Sequence, residues 1–297
     1  MPDKLGAVAD IFVGLQTSAD DVFIMDFVEE TSRTLKLRSK SLGREWSFEK
    51  GLLFPLVSGT DVNRYGELPK RQYILFPYRV EDETAVLLDF SSLEKDSPKT
   101  ANYLLENKKR LEEREKGKFR GRDWYRFGRS QNIGIQGRVK LCVPRLVDKL
   151  YAAFDSEGSR FLDNVDVGGI TLKSKYQRQG LLYLLGLLNS NLLRWYFPSV
   201  SAPFRGGWLS ANRQFLSQLP IRLINFSNRS EKARHAKMVK LVERMMELHK
   251  ELAKAKSDHD KTLLQRQISS TDRQINVLVY DLYGLTKEEI KLIEGKS

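Results

Sequence analysis

Cysteine is almost absent: Cys142 is alone among 297 residues. One thiol excludes an internal disulfide and any multi-cysteine zinc site, and the expected setting is a reducing cytoplasm. Histidine is scarce as well. His235, His249 and His259 all fall late in the chain, so residues 1–230 offer no imidazole. That removes most zinc-enzyme and Ser–His–Asp hydrolase readings. Long apolar runs are missing too. The most apolar stretch, Leu181 to Leu188, is interrupted by Gly186 and stops at Asn189 and Ser190, far short of the roughly 20 residues that span a bilayer. No apolar signal core follows Lys4, so no membrane partner is expected. The glycines at 134, 137, 168, 169, 206 and 207 compose neither a G-x-G-x-x-G turn nor a P-loop, which leaves nucleotide binding without support.

What the chain has is positive charge, and that charge is concentrated. Between Lys108 and Arg145 thirteen Lys and Arg face four acids, so this segment carries +9 of the net +12. Phe119, Trp124, Tyr125 and Phe127 are interleaved with it. A surface that binds a polyanion needs cations for phosphates and flat groups for bases and sugars, and this composition supplies both. Lys116, Lys118, Arg120 and Arg122 suit phosphates, because a glycine-spaced basic loop can follow a backbone. Trp124, Arg126, Arg129, Gln131, Asn132, Gln136 and Arg138 are the types that stack on bases or read their edges. A solvated basic helix followed by an ordinary loop is the plain alternative. A second candidate surface runs from Ser201 to Trp208, with Arg205 between two rings; its plain alternative is that Phe204 and Trp208 cap a buried helix.

The hydrophobic pattern predicts an α+β fold, a mixed-sheet domain over residues 1–225 followed by an antiparallel helical hairpin over 226–297. Short apolar segments predict strands at 8–13, 22–27, 73–76, 84–88, 139–143 and 151–154. Ser97-Pro98 predicts the start of a helix running to about Glu115. Further helices are predicted over 178–196 and 210–218, the latter stopped by Pro220. After Asn225, Met238, Leu241, Met245, Leu248 and Leu252 repeat at helical spacing, as do Leu264, Ile268, Thr271, Ile275, Leu278 and Leu282. These stripes predict the two arms, with turn chemistry at 257–260 and a short terminal helix over 287–293. Such an arm either stabilises the fold or spaces and docks a partner.

Catalytic chemistry is poorly represented. A metal-dependent nuclease needs converging carboxylates, and Asp96 with Glu106-Asn107-Lys108 matches such a string only formally, on a predicted helix. Asp163 and Asp166 make a pair without a third ligand, next to a tight loop expected at Gly168-Gly169. Besides nucleic-acid binding, a nuclease and an oligomerising helical scaffold remain the competing classes.

The order of segments resembles a family. Ile11-Phe12-Val13-Gly14-Leu15-Gln16-Thr17-Ser18 with Asp21-Val22-Phe23-Ile24, Leu56 to Val62 with Arg64-Tyr65, and Tyr73 to Tyr78 come first. Tyr103-Leu104-Leu105 with Leu111 and Arg114, then Trp124-Tyr125, follow. Leu187-Leu188-Asn189-Ser190, Leu216 through Leu219-Pro220-Ile221, and Tyr283 to Thr286 with Glu289-Ile290 complete the series. This series resembles the C-terminal specificity region of TaqI-like adenine methyltransferases and fused restriction-modification enzymes, and more distantly the specificity subunits of type I systems. The resemblance implies a target recognition domain that reads a short double-stranded DNA sequence for a methyltransferase or nuclease module. That module would carry S-adenosylmethionine, with magnesium as a further candidate, and flip the target adenine. Here no Asn-Pro-Pro-Tyr tetrad is found, so this chain is expected to be the recognition portion, inactive alone and without its own cofactor. Base contacts do not transfer, because recognition residues change with the target.

Overall fold

The computed structural model describes residues 2–164 and 166–295. Met1 and Ser297, the outer limits of the expected division, lie outside the described residues. The fold is mixed α and β, as its patterning predicts, and ends in an antiparallel helical hairpin.

Two sheets organise the first 172 residues. In the six-stranded sheet the order is Phe161–Leu162, Leu53–Val57, Gln72–Leu75, Ile24–Glu30, Thr34–Ser39, Arg44–Glu49. Only the first pair is parallel. Strand alternation sends Leu35 and Leu37 inward, opposite Phe48 and Trp46. The Pro98–Glu106 helix covers that face. Its Tyr103 packs edge-on against Phe48 and Trp46, and its buried hydroxyl donates to the Val22 carbonyl at 2.7 Å.

A second, antiparallel sheet has the order Ala153–Asp155, Lys140–Pro144, Val167–Leu172, Ala9–Val13. Here the sequence expectation fails: Gly168 and Gly169 lie inside a buried strand, not in a tight loop. The reason is close approach. A side chain at 169 would put its Cβ 2.5 Å from the Phe12 ring, so only glycine lets the two strands meet.

Helices cover this second sheet. Leu181–Leu188 is apolar nearly all round and buried, as expected of a helix inside a core. Met238 and Val242 press on its Gly186, where a Cβ would lie 2.7 Å from the Met238 sulfur. The long arms Arg229–Lys254 and Asp258–Tyr283 therefore bury their stripes in two directions, against each other and into a core shared with Leu5, Val8 and Leu141. Burying a leucine or methionine side chain stabilises by about 1.5–3 kcal/mol, so the hairpin is held as part of this core. Leu241, Leu252 and Leu264 are half-buried at its margin.

Three predicted helices change shape. The run from Pro98 breaks at Asn107, whose side chain donates to the Tyr103 carbonyl at 2.9 Å. It then ends where Glu115, Lys116 and Gly117 take positive φ angles. The 178–196 helix is split by Gly180, at φ 74°, and by Ser190, which caps a new helix over Asn191–Tyr196. The 210–218 helix shrinks to Arg213–Leu216, capped by Asn212. The terminal helix over Lys287–Glu294 forms as predicted, with a Thr286–Glu289 capping box.

Candidate nucleic-acid interface

The basic segment is anchored rather than loose. Arg114 is buried, and its guanidinium donates to three backbone carbonyls: Leu111 at 2.8 Å, Thr17 at 2.7 Å and Trp124 at 2.7 Å. A planar, five-donor group suits such a fork, which lysine cannot reproduce. It also stacks 3.9 Å from the Phe119 ring centroid, over which Arg126 lies at 4.5 Å. Burial, and then the neighbouring Arg126, push the Arg114 pKa down to about 10. At neutral pH it is still a cation.

Around this anchor the segment is stitched to the 16–18 turn. Gly128 N–H donates to the Thr17 carbonyl and Arg129 N–H to the Gln16 carbonyl, at 3.0 and 3.2 Å. Glu115 accepts from Arg129 at 2.8 Å and from Ser18 at 3.4 Å. The hydrogen bond from Arg129 holds the Glu115 carboxyl below the usual carboxylate range. Asn132 and Gln136 both donate to the Val13 carbonyl. Gln136 is fully buried and also accepts from Leu162 N–H. It is committed to the backbone.

This stitching sorts the expected site residues. Trp124 is buried against Phe90 and Tyr125, while Phe127 packs on Phe23, Phe76 and Tyr78. With Phe119, these rings form the floor of the segment and present no face for stacking. Arg138 is clamped by both oxygens of Glu83, and Arg129 is paired with Glu115. Lys116, Arg120 and Arg122 are exposed, with no ion pair among the described residues, and Lys118 has only a loose one to Glu115 at 3.7 Å. Gln131 is exposed beside them. Arg205 belongs to a different turn.

A cleft of about 710 Å³ opens beside the segment. Asp123, Arg126, Arg129, Ser130 and Asn132 line one side, with Tyr78, Glu83 and Thr84 on the other. The second wall comes from a two-residue hairpin joining Tyr78–Glu81 to Thr84–Leu87. The pattern predicts its Thr84–Leu87 strand but neither the Tyr78–Glu81 strand nor the turn. Asp82 and Glu83 both adopt positive φ without a glycine, so the Asn-Gly or Asp-Gly signal of such turns is absent. The glycine sits opposite: at Gly134 a Cβ would fall 1.7 Å from the Glu83 carbonyl oxygen.

The nuclease string does not assemble. Glu106 is bonded to Arg44, and Lys108 lies over the Trp124 ring. Among the described residues no three His, Cys, Asp or Glu side chains converge to hold a metal ion, and no helix is long and apolar enough to cross a membrane.

An anchored cationic rim on an α+β body is a surface suited to a polyanion. Residues 54–221, more than half of the chain, match the model of the TaqI-like C-terminal specificity domain, and the chain belongs to that family. It is also 23% identical, over 298 residues, to the Type II restriction enzyme and methyltransferase RM.Eco57I of Escherichia coli. That alignment covers 95% of this chain but 30% of the relative.

Proposed function

We propose that this chain reads a double-stranded DNA sequence for a restriction-modification adenine methyltransferase, with the 114–132 segment against the duplex. One observation supports it above others: Arg114 fixes the segment from beneath, so its outer cations keep a defined geometry toward a phosphate backbone. Phosphate contacts would position, while Arg126 and Asn132 at the cleft, with the exposed Gln131 next to them in sequence, would read base edges. Residues 1–225 would form the reading part, with the hairpin arms as the platform for a catalytic module. Neither an Asn-Pro-Pro-Tyr tetrad nor a glycine-rich cofactor loop occurs here. S-adenosylmethionine would be carried by the catalytic module, and no step of methyl transfer is routed through these residues. A scaffold reading is disfavoured, because the apolar stripes of the hairpin are already filled, by each other and by the Leu181–Leu188 and Asn191–Tyr196 helices.

Duplex binding measured against salt tests this. Each lost phosphate contact lowers the salt slope by about 0.9, so the Lys116, Lys118, Arg120 and Arg122 to Ala variant should lose a slope of roughly 3 to 4. Absence of binding at low salt, or an unchanged slope, would overturn the reading.

A further inference from the structure

We infer that the Phe204–Trp208 turn is a stacking element for a DNA base exposed by local unstacking, a contact separate from the cationic rim. The inference rests on the reading of this chain as a DNA specificity module.

The geometry starts in a small antiparallel arrangement. Leu146–Val147 pairs with Leu209–Ser210, and Pro203 bridges Leu209 on the other side. Directly paired residues share a face of a pleated sheet. Val147 is buried and Leu209 half-buried, while Pro203 at the end of the row is exposed, so the inner face is the one that Val147 and Leu209 share. Leu146, Trp208 and Phe204, each one residue off this row, therefore face outward. They are 41%, 44% and 55% exposed. Three large apolar side chains stand uncovered on one small face.

The turn is also stiff. Phe204 N–H donates to the Trp208 carbonyl at 2.6 Å, and Ser210 N–H to the Ala202 carbonyl at 3.1 Å. Ser201 Oγ donates to the Ser210 carbonyl at 2.9 Å. Gly206 and Gly207 close the turn at φ 73° and 81°, values that L side chains avoid. Apart from Gly207 and its two chain neighbours, no heavy atom lies within 4 Å of where a Gly207 Cβ would be, so the tip is open to close approach. Arg205 sits at that tip, exposed and without an ion pair among the described residues. Two rings flanking a free guanidinium on a net +12 chain match an apolar wedge with a phosphate anchor, the combination that enters a base step.

The test uses the full chain, a short duplex of mixed sequence, and the same duplex with one unpaired base. Unstacking costs least at an unpaired base, so the wild type should prefer the second probe. Phe204→Ala with Trp208→Ala should weaken binding by roughly 10-fold or more and abolish that preference, with the salt slope unchanged, since stacking releases no counterions. Arg205→Ala should lower the slope by about one. Trp208→Phe should retain most of the preference. The rings are exposed, so the melting temperature should hold. Unchanged affinity for both probes would overturn the stacking role and leave the rim reading intact. A lower slope in the double variant would reduce the rings to holding Arg205, which also overturns it. Failure of the wild type to bind either probe would sink both readings.

Discussion

Arg114 reaches 97 residues back along the chain to donate a 2.7 Å hydrogen bond to the carbonyl of Thr17. This bond joins the floor of the basic segment to the turn after the Ala9–Val13 strand. The cations of the rim then depend on a buried side chain.

Removing that side chain leaves three carbonyls without their donor and opens a gap under Phe119. Arg114→Ala should cost about 3 kcal/mol in denaturant unfolding. Arg114→Lys should recover less than half, since an ammonium cannot span the fork. Trypsin should cut the variant at Lys116 to Arg122 much faster than the parent. Equal cleavage rates would show that the segment is held by other contacts.

A similar logic applies at a buried ion pair. Lys140 and Asp155 are both buried and 2.7 Å apart. Asp155 also accepts from Ser159 and Arg160 N–H groups, and Lys140 also donates to two carbonyls. Asp155→Ala strands an ammonium and two N–H groups, whereas Lys140→Met leaves the carboxylate with both backbone donors. Each should destabilise, by about 3–5 kcal/mol for the aspartate change and less for the lysine change. The reverse order in chemical unfolding would mean that the carbonyls around Lys140 dominate.

Much of this framework was legible in the sequence, and the limits are physical. The hairpin stripes at Met238, Met245, Ile268 and Ile275 repeat over several turns, so both arms are legible. Thr34–Ser39 and Arg44–Glu49 are not legible, because five of their twelve residues, Lys36, Arg38, Arg44, Glu45 and Glu49, are exposed or half-exposed charges on a two-faced sheet. Composition located the basic segment. It could not say that Trp124 and Phe127 point down, because orientation is set by Phe90, Phe23 and Phe76, which are distant in sequence. Nor could it separate Arg138, neutralised by Glu83, from Arg122, which has no ion pair among the described residues.

Cys142 offers a chemical probe of the second sheet. Full burial pushes its thiol up to about 12, and a protonated, covered thiol is a poor nucleophile. A thiol reagent at about pH 8 should leave the native protein unmodified and label it only on unfolding. Linkage gives the sign of the pH effect. The unfolded thiol ionises near 8.5 while the folded one keeps its proton, so this contribution is full below about 8.5 and falls as pH rises above it. Cys142→Ala should flatten that alkaline decline. Rapid native labelling would contradict the burial.

His249 should govern part of the acid limb. It lies in the first hairpin arm, its ring 6.2 Å from that of Tyr65, next to Arg64, which donates to the Asn189 carbonyl and to Asp272 of the second arm. Burial first, and then the Arg64 charge, lower the pKa of the imidazole, with Asp272 opposing. The neutral ring is therefore the native form. As pH falls through the unfolded value near 6.5, the unfolded chain takes up a proton that the folded chain resists. The stability contributed by His249 is thus present above about 6.5 and is lost as pH falls toward the folded value. Substituting His249→Leu removes the titrating group while keeping an apolar side chain against Tyr65. Its unfolding free energy should then vary less with pH than that of the parent below about 6.5. Parallel pH profiles for the two proteins would show that His249 is protonated in the fold at no cost.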